Sequence, residues 1–491
     1  MEFKRLVMLV TLLAIFTMGV RIAVDTDTWW HLAAGRWMVE QGRVLQTDPF
    51  SFTRLGAPWV NPSWLSQLLL FITYRAAGVP GLNLLTALLV TLAFASVWPL
   101  LEGPALLRGF ILVASATASA VYWSARPQMV SFALAGALLL MLAKSRAHPR
   151  YLIGVPVLMA LWANSHGGFV IGLILIAIAL AGEALETAWS LAAGPHSRRE
   201  VWIEKRGGLL RMGVVLAASV AAVGLGPSGF RLLRYPFDTV SIGPLRALID
   251  EWQSPDFHRP EVWPFLGLVL VVVAVLAYSP RRPRAGELLQ LSVLVALAFM
   301  ARRNVALFAL GAAPVLGVHA WALLEPVLAS RAAVGRQVSP RAGHALNLVI
   351  LVVLALAAAL KLSLPLSAPR IEAALERQQP VGAIAFLQAA HPPGALFNSY
   401  AWGGYVLWRL WPDYLTFVDG RTDLFAGEVL DDYLAAWNAT EGWPSVLDRY
   451  GVGLALLEQA APLADAMRAA GWTTLYEDDQ AAVFSAPGKQ R

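Results

Sequence analysis

Two carboxylates and an imidazole lie close together early in the chain, in the segment Asp25-Thr-Asp27-Thr-Trp-Trp-His31. This segment follows directly after the first long apolar run, so we expect it at a membrane boundary. A carboxylate held there is partly desolvated, a setting that suits Asp27 or Asp25 to act as a general base; alternatively, the pair holds a divalent cation. A structural reading is also open, in which one carboxylate caps a helix and the two tryptophans anchor it at the interface.

A second polar motif, Arg302-Arg303-Asn304, interrupts two apolar segments. Guanidinium groups grip a phosphate through two parallel hydrogen bonds and tolerate partial desolvation, so a phosphate-bearing lipid is the natural ligand. Arg126, which precedes Pro127, is a further candidate of the same kind. The alternative for each arginine is that it extends toward lipid headgroups without holding one particular ligand.

Two further motifs are candidates for sugar recognition. His166 lies between Asn164 and a glycine pair that allows close approach of a ligand. It is predicted either to ligate a metal together with the two early carboxylates, or to hydrogen-bond a sugar with Asn164; a packed polar network is the plainer alternative. Glu251 and Trp252 would supply a carboxylate and a stacking ring for a sugar, and a simple loop contact is equally compatible with them.

The composition indicates a membrane protein. The chain has 491 residues, of which 57% are hydrophobic and 14% are charged, with 19 Trp and no Cys; an ordinary soluble protein carries roughly 25% charged residues. Without Cys, this chain has no disulfides, thiolate metal sites or Cys nucleophiles. The formal charge of +6 comes from short basic clusters between apolar segments, which is typical of membrane topology and argues against nucleic acid as a partner.

Apolar segments suited to crossing a membrane recur through the first three quarters of the chain. They lie near 6–24, 64–78, 81–101, 105–123, 127–143, 150–165, 168–190, 209–226, 262–280, 286–301, 304–324 and 345–364. Basic clusters separate them at Lys4/Arg5, Lys144/Arg146/Arg150, Arg198/Arg199/Lys205/Arg206, Arg281/Arg282/Arg284 and Arg331/Arg336/Arg341. All five clusters face the cytoplasm if two of the three segments between 64 and 123 span, so we expect about eleven crossings, with 64–78 the weakest candidate.

This topology predicts an α-helical polytopic protein of the cytoplasmic membrane with a cytoplasmic N-terminus. The transmembrane domain would cover 1–364, with long outer loops at 25–63 and 227–261. The candidate residues then share the outer face, where we expect the early carboxylates, His166 and Arg302/Arg303 to converge on one cavity. Intramembrane ionisable groups are costly, so their default interpretation is functional.

Residues 365–491 regain charges and turn residues, which predicts a small soluble α/β domain on the outer, extracytoplasmic side. Helical stretches are predicted near 380–390, 427–437 and 461–470. Strands are predicted at Leu396–Phe397, Leu415–Val418 and Gly453–Leu457, followed by a hairpin of Thr473–Tyr476 with Ala481–Phe484. Asp419-Gly-Arg421 is predicted to form a turn held by a salt bridge. We expect this domain to recognise an acceptor or act as a lid.

The acidic motif after the first helix, the long outer loop, the dozen apolar segments and the outer C-terminal domain together resemble the GT-C superfamily of membrane glycosyltransferases. The local likeness is to protein O-mannosyltransferases and aminoarabinose transferases, in a register of Asp27, His31 and Gly35-Arg36. The stretches Asp48-Pro-Phe-Ser-Phe52 and Phe397-Asn-Ser-Tyr-Ala-Trp-Gly-Gly404 also look like poorly characterised bacterial proteins assigned to this superfamily.

The resemblance implies transfer of a sugar from a polyprenyl-phosphate donor to a protein, lipid or glycan acceptor. It implies Asp27 as general base, Arg302/Arg303 as phosphate ligands and His31 as a substrate contact. Thr26 separates the two carboxylates, whereas the family's acidic pair is adjacent; this spacing is closer to the metal-binding motif of oligosaccharyltransferases, so use of a divalent cation stays open and no other cofactor is assigned. A transporter or flippase of a lipid-linked sugar, or a non-catalytic membrane scaffold subunit, are the alternative functions.

Overall fold

The protein is described here by a computed structural model that covers residues 1–22, 25–193, 198–243, 249–330 and 340–488. Two members of the fifth basic cluster, Arg331 and Arg336, and part of the loop 227–261 lie outside the described residues.

The N-terminal three quarters are helical. The helices are α1 (Phe3–Gly19), α2 (Thr26–Gln41), α3 (Trp64–Val97), α4 (Ala105–Ser119), α5 (Gln128–Ser145), α6 (Gly154–Ser165), α7 (Phe169–Ala193), α8 (Arg198–Val223), α9 (Arg231–Val240), α10 (Trp263–Tyr278), α11 (Ala285–Met300), α12 (Val305–Ser330) and α13 (Pro340–Ser363). Short 3₁₀ turns connect several of them, at Trp98–Leu100, Ala120–Tyr122, Pro149–Ile153, Asp250–Trp252, Pro260–Val262 and Arg302–Asn304.

Within the described residues, eight helices are long and apolar enough to cross a membrane. Three shorter helices lie at other predicted crossings: α1, α6 and α11, with 17, 12 and 16 residues. A membrane core of about 30 Å takes roughly 20 helical residues to cross, so these three fall below the usual length. Two of the eight lie between 64 and 123, at Trp64–Leu100 and Ala105–Tyr122. The first of these contains both apolar segments 64–78 and 81–101, so the two crossings that the charge pattern predicts between 64 and 123 stay a prediction.

The helix α3 is bent near its middle. Gly78 has φ 59° and ψ −152°, and Pro80 follows it inside the helix. Pro lacks the amide hydrogen that continues a helix, and only glycine adopts such a backbone conformation at little cost. The bend therefore separates the segment 64–78, which is the weakest of the predicted crossings, from the apolar segment after it.

The chain folds as two compact units. The first comprises residues 1–21, 83–233 and 246–365, and the second comprises 22–82, 234–245 and 366–491. The first unit holds most of the apolar helices. In the second unit, the loop 25–63 and the start of α3 pack with the C-terminal segment, so the C-terminal domain folds together with residues that the sequence analysis assigned to the membrane domain.

The second unit contains a four-stranded sheet. Its strands are β1 (Ala395–Asn398), β2 (Val452–Glu458), β3 (Thr473–Glu477) and β4 (Ala481–Ser485), in the order β1-β2-β4-β3. β1 and β2 are parallel, whereas β4 is antiparallel to both β2 and β3. The remaining helices are α14 (Ala368–Gln378), α15 (Val381–Ala390), α16 (Gly403–Leu410), α17 (Thr422–Phe425), α18 (Glu428–Trp437), α19 (Trp443–Arg449) and α20 (Pro462–Ala469). The predicted small α/β domain with a terminal hairpin is confirmed.

The strand predicted at 415–418 does not form. Thr416 makes only an isolated bridge to Ser51 of the early loop, with Phe52 N donating to Thr416 O at 3.1 Å. The side chain of Asn398 satisfies the next backbone groups, because it accepts from Phe417 N at 2.8 Å and donates to Val418 O at 2.8 Å. A side chain thus supplies the hydrogen bonds that a neighbouring strand would have made.

Candidate active site

The early carboxylates lie at the N-terminus of α2, in the second unit. Asp25 caps the helix by accepting from the backbone N–H of Asp27 at 3.0 Å. Asp27 lies in the first turn and accepts from Trp30 Nε1 at 3.2 Å. Helix N-termini attract negative charge, so this is a favourable place for both carboxylates. Asp25 therefore acts as the helix cap. Capping does not require the carboxylate of Asp27 as well.

Two glycines of the C-terminal segment make room for this helix start. A Cβ at Gly420 would lie 2.3 Å from Asp27 Oδ1 and 2.5 Å from Trp30 Nε1, and a Cβ at Gly404 would lie 2.7 Å from Thr26 O. Any side chain at Gly420 would displace the Asp27 carboxylate or the indole that bonds to it. In the wall beside Asp27, backbone alone thus faces the start of α2 at Gly420 and Gly404.

Tyr400 and Thr422 extend this wall. The Tyr400 hydroxyl and Thr422 Oγ1 form a short hydrogen bond. Burial raises the pKa of Tyr400, and the negative charge of Asp27 raises it further. The phenol therefore stays protonated at physiological pH and retains a proton to donate.

Asp423 is a half-buried acid of the same wall. Its Oδ2 accepts from Trp59 Nε1 at 3.1 Å. Burial raises the pKa of Asp423 to about 6, against the opposing effect of the Trp59 hydrogen bond. Asp423 lies in the segment for which the sequence predicts a soluble domain, yet burial makes its carboxyl a weaker acid than an exposed Asp.

His31 is enclosed rather than exposed. Its ring lies 3.5 Å, centroid to centroid, from that of Trp30, and its Nδ1 is 3.3 Å from Gln67 Nε2. The amide oxygen of Gln67 in turn accepts from Asn61 Nδ2 at 2.7 Å. His31 is 5% exposed, so its contacts fix α2 against the start of α3, and its substrate role stays a prediction.

A cationic cluster lies in the first unit, where Glu251 sits between two guanidinium groups. Arg126 Nη2 lies 2.7 Å from Glu251 Oε2, and Arg303 Nη1 lies 3.4 Å from Glu251 Oε1. Arg303 also stacks over the Trp252 ring, with its Cζ 4.5 Å from the ring centroid. Burial favours protonation of Glu251, but the charges of Arg126 and Arg303 outweigh it and hold the pKa of Glu251 below its usual value. The structure thus joins four of the sequence-predicted residues in one cluster.

The adjacent Arg302 contacts a different acid. Its Nη1 lies 3.3 Å from Asp250 Oδ2, and its backbone N–H donates to Gln253 O at 2.9 Å. Asn304 donates from its side chain to Leu297 O at 3.0 Å, so it caps the C-terminal end of α11. Arg303 is therefore the arginine of this motif that shares a carboxylate with Arg126.

His166 lies close to this cluster, in the break between α6 and α7. Burial, and then the positive charges of Arg303 and Arg126, lower the pKa of His166 to about 3, so the imidazole is neutral at physiological pH. Its Nδ1 accepts from Gly168 N at 3.1 Å and lies 2.8 Å from Ser131 Oγ. Because Nδ1 accepts, the ring proton belongs on Nε2, which makes that atom a hydrogen-bond donor.

Asn164 serves the fold. Its amide donates to Ala160 O and to Leu225 O, both at 2.8 Å, and it is 8% exposed. It ties α6 to the segment after α8. Its role in binding a sugar stays a prediction.

A metal site is not preassembled among the described residues: no three His, Asp or Glu side chains lie close enough to share an ion. The donor geometry of His166 favours hydrogen bonding, since its Nδ1 lone pair is already used by Gly168. Metal binding by Asp25, Asp27 and His166 stays a prediction.

Several site residues escaped the sequence analysis. Tyr400, Gly420 and Asp423 lie in the segment that the sequence predicts to be a soluble domain, and no local pattern marks them as site residues. Each becomes visible only when the C-terminal segment packs against the start of α2. A signal was nevertheless present, since the Asp-Gly-Arg turn 419–421 places a glycine between two charges.

No protein-family model matches the chain, and no curated protein matches it. Its fold is similar to that of the Archaeoglobus fulgidus oligosaccharyltransferase. The apo crystal structure aligns with a TM-score of 0.53 and 12% identity, over 92% of this chain and 69% of that one. The structure of the same enzyme tethered by a disulfide to an acceptor peptide with the NVT sequon aligns with a TM-score of 0.54 and 13% identity, over 93% and 69%. The chain is thus a helical membrane protein with a GT-C-like fold and a small C-terminal sheet domain.

Proposed function

We propose that this protein is a membrane glycosyltransferase that moves a sugar from a polyprenyl-phosphate donor to an acceptor on the outer face of the cytoplasmic membrane. The observation that carries the proposal is the pair of guanidinium groups, from Arg126 and Arg303, that meets on the single carboxylate of Glu251. In a GT-C-like fold, such a cluster suits an anionic group that arrives from the membrane.

The phosphate assignment follows from the geometry of the cluster. Two arginines around one carboxylate carry a net positive charge, and the side chains of Arg126, Glu251 and Arg303 are 15%, 21% and 24% exposed. A phosphate presents more acceptor oxygens than a carboxylate and takes paired guanidinium hydrogen bonds well. We assign Arg126 and Arg303 to the donor phosphate, with Arg302 at the rim and Trp252 available to stack on a sugar ring.

The reaction needs one base and one stabilised leaving group. Asp27 accepts the proton of the acceptor nucleophile as that atom forms its bond to the anomeric carbon. The bond from the anomeric carbon to the phosphate oxygen breaks, and its electron pair leaves with polyprenyl phosphate, whose charge the arginines neutralise. Asp25 positions Asp27 through the helix cap, and His166 is assigned as a neutral donor to a sugar hydroxyl.

The acceptor side is assigned to the wall beside Asp27. Gly420 allows the backbone to approach that carboxylate, and the protonated Tyr400 offers a hydrogen-bond donor close by. This assignment gives the C-terminal segment a part in acceptor binding, as the sequence analysis expects, and leaves the base in the early loop.

The test uses the full-length protein in liposomes with a panel of synthetic polyprenyl-phosphate sugars. Release of polyprenyl phosphate is measured with and without a membrane extract as acceptor source. Asp27→Asn is expected to lower release about 10²- to 10⁴-fold, the usual loss of a general base, without changing binding of polyprenyl phosphate. Arg126→Gln with Arg303→Gln is expected to weaken that binding, whereas Glu40→Gln, a control on the exposed end of α2, should change neither quantity.

The same variants separate the alternatives. A flippase would move the labelled lipid across the bilayer in the Asp27→Asn protein at the wild-type rate, and a scaffold subunit would show no release that depends on Asp27. Undiminished sugar transfer by Asp27→Asn would overturn the proposal.

A further inference from the structure

A cavity of about 740 Å³ lies in the first unit, at the far end of the helices from the Arg126–Glu251–Arg303 cluster. Helix α5 begins two residues after Arg126, and Ser145, the last of its 18 residues, lines the cavity. At 1.5 Å per residue, the helix separates the two places by about 27 Å. The volume of the cavity lies within the roughly 300–1,000 Å³ of ordinary ligand sites. The proposed reaction does not involve this cavity.

The rim of the cavity is rich in charge. Basic side chains outnumber acidic ones there: Lys144, Arg146, Lys205, Arg211, Arg281 and Arg284 face Glu102, Glu183, Glu186 and Glu287.

Several of these carboxylates already have partners. Glu186 accepts from Ala285 N at 2.6 Å, and Glu287 accepts from Arg284 N at 2.8 Å, so both serve the N-terminus of α11. Glu102 forms an ion pair with Arg281, whose Nη1 lies 3.1 Å from both carboxylate oxygens of Glu102. Glu186 and Glu287 thus cap a helix and Glu102 pairs with Arg281, so these three carboxylates are engaged elsewhere than on Arg146.

Arg146 and Arg284 are the two cations that most require an anion. Burial lowers the pKa of the Arg146 guanidinium, the neighbouring charge of Arg284 lowers it further, and the carboxylates of Glu287, Glu183 and Glu186 offset only part of this effect. In the part of the chain that the structure describes, neither guanidinium forms an ion pair. Arginine keeps its proton under such conditions, and the nearby carboxylates relieve the repulsion between the two charges only in part, so a further anion between them would be stabilised.

The inner lining is apolar. It is formed by side chains that include Leu139, Leu142, Leu152, Leu175, Ile178 and Val318. Close packing of α7 on α11 shapes this part, since a Cβ at Gly182 would lie 2.5 Å from Gly286 Cα. A cation-rich rim above an apolar lining matches an amphiphile with an anionic head, and basic pockets between membrane helices are known to take lipid phosphates.

We infer that this cavity binds the phosphate group of an anionic lipid between Arg146 and Arg284, with the start of its acyl chains against the apolar lining. A free phosphate compound offers the same head-group chemistry but has no apolar part to bury against that lining. The site is separate from the proposed donor site and stands whether or not the protein is a glycosyltransferase.

The absence of native Cys allows a direct protection assay. Ser145, which lines the cavity, is replaced in the full-length chain by Ser145→Cys, and its rate of maleimide labelling is measured in neutral detergent. Phosphatidylglycerol, phosphatidylcholine and inorganic pyrophosphate are the three probes. Protection by phosphatidylglycerol alone is expected.

Arg146→Gln with Arg284→Gln should raise the half-protecting concentration of phosphatidylglycerol about 30-fold, or roughly fivefold for each guanidinium lost. Arg150→Gln is the matched control, because it removes a charge from the same connection without lining the cavity; it should change the value less than twofold. Arg146→Lys with Arg284→Lys, which keeps both charges, should retain most of the protection and exclude misfolding as the cause.

Pyrophosphate that protects as well as the lipid would overturn the lipid as the occupant. Equal protection by phosphatidylcholine, or equal losses in the double variant and in Arg150→Gln, would overturn the phosphate site itself. Native mass spectrometry of the same proteins provides a second measurement, in which one tightly held anionic lipid should disappear from the Arg146→Gln, Arg284→Gln protein.

Discussion

Arg421 pairs with Asp48 although 373 residues separate them: its Nη1 lies 2.7 Å from Asp48 Oδ1, and neither side chain is exposed. The same guanidinium bonds Asp419 through Nε at 2.8 Å and Nη2 at 2.6 Å. It also faces the rings of Phe50 and Trp59, 5.2 and 5.3 Å from their centroids. This buried group joins the early loop to the turn that carries Gly420, and so it holds the wall beside Asp27 in place.

Loss of this arginine should destabilise the second unit strongly. Arg421→Gln leaves two buried carboxylates without their cation, and breaking a buried pair by removing one partner costs about 3–5 kcal/mol. The expected result is a lower unfolding temperature, measured by intrinsic tryptophan fluorescence in detergent. Arg449→Gln is the control, since its side chain is 53% exposed and exposed pairs contribute about 1 kcal/mol or less. Equal stability of the two variants would contradict a structural role for Arg421.

Local sequence signals predicted the pairing of Arg421 with Asp419, which is close in sequence, but not its pairing with the distant Asp48. The Asp419–Arg421 salt bridge follows from a turn of three residues, and it is confirmed. Asp48 carries no local sign of its partner, because only the fold brings the early loop to that turn. The same limit applies to Glu251 and Arg126, whose residue types suggested a site but whose pairing is tertiary.

The strand predicted at 415–418 failed for a related reason. Its residues have the pattern of a strand, but the side chain of Asn398 takes the hydrogen bonds that define one. Periodicity reports which residues are buried and says little about which group satisfies their backbone. The helices and the hairpin were predictable because their hydrogen bonds are local.

Asp423 should make stability depend on pH in the mildly acidic range. Its pKa is raised to about 6 in the folded protein by burial, whereas an unfolded Asp titrates near 3.9. The folded state therefore binds the proton more tightly, so the stabilisation is complete below about pH 4 and is lost as the pH rises through about 6.

Asp423→Asn mimics the protonated acid and should remove this dependence. Unfolding temperatures recorded from pH 4 to 7 are expected to fall for the wild type relative to the variant, which should be the more stable protein at pH 7. Asp432→Asn is a suitable comparison, because its carboxylate is paired with Arg449 at 2.8 Å near the surface. Parallel pH profiles for wild type and Asp423→Asn would show that the carboxyl is not desolvated.

Glu251 is expected to compete with the donor phosphate for Arg126 and Arg303. In Glu251→Gln the cluster gains one positive charge and loses the carboxylate that occupies both guanidinium groups. Polyprenyl phosphate should then bind more tightly and dissociate more slowly, while turnover falls because the leaving lipid is retained. Binding is measured with a fluorescent polyprenyl-phosphate analogue over a range of salt concentrations.

The control for this measurement is Asp250→Asn, since Asp250 pairs with Arg302 and its side chain is 70% exposed. It should change binding much less than Glu251→Gln, because exposed pairs are screened by solvent. Weaker binding in Glu251→Gln would mean that this carboxylate holds the arginines in position rather than occupying the place of the phosphate.

The orientation of the chain is testable on helix α5 alone. Gln128 and Ser145 are its first and last residues, and Lys144 lies in its last turn, so the positive-inside rule puts Ser145 at the cytoplasmic side. In intact cells, a membrane-impermeant maleimide should therefore label Gln128→Cys and spare Ser145→Cys. Both variants should react after solubilisation in neutral detergent without added phosphatidylglycerol, which controls for burial of either site and for protection of Ser145→Cys by a bound lipid. The reverse labelling pattern would place the Arg126–Glu251–Arg303 cluster on the cytoplasmic side, and it would exclude transfer of a sugar on the outer face.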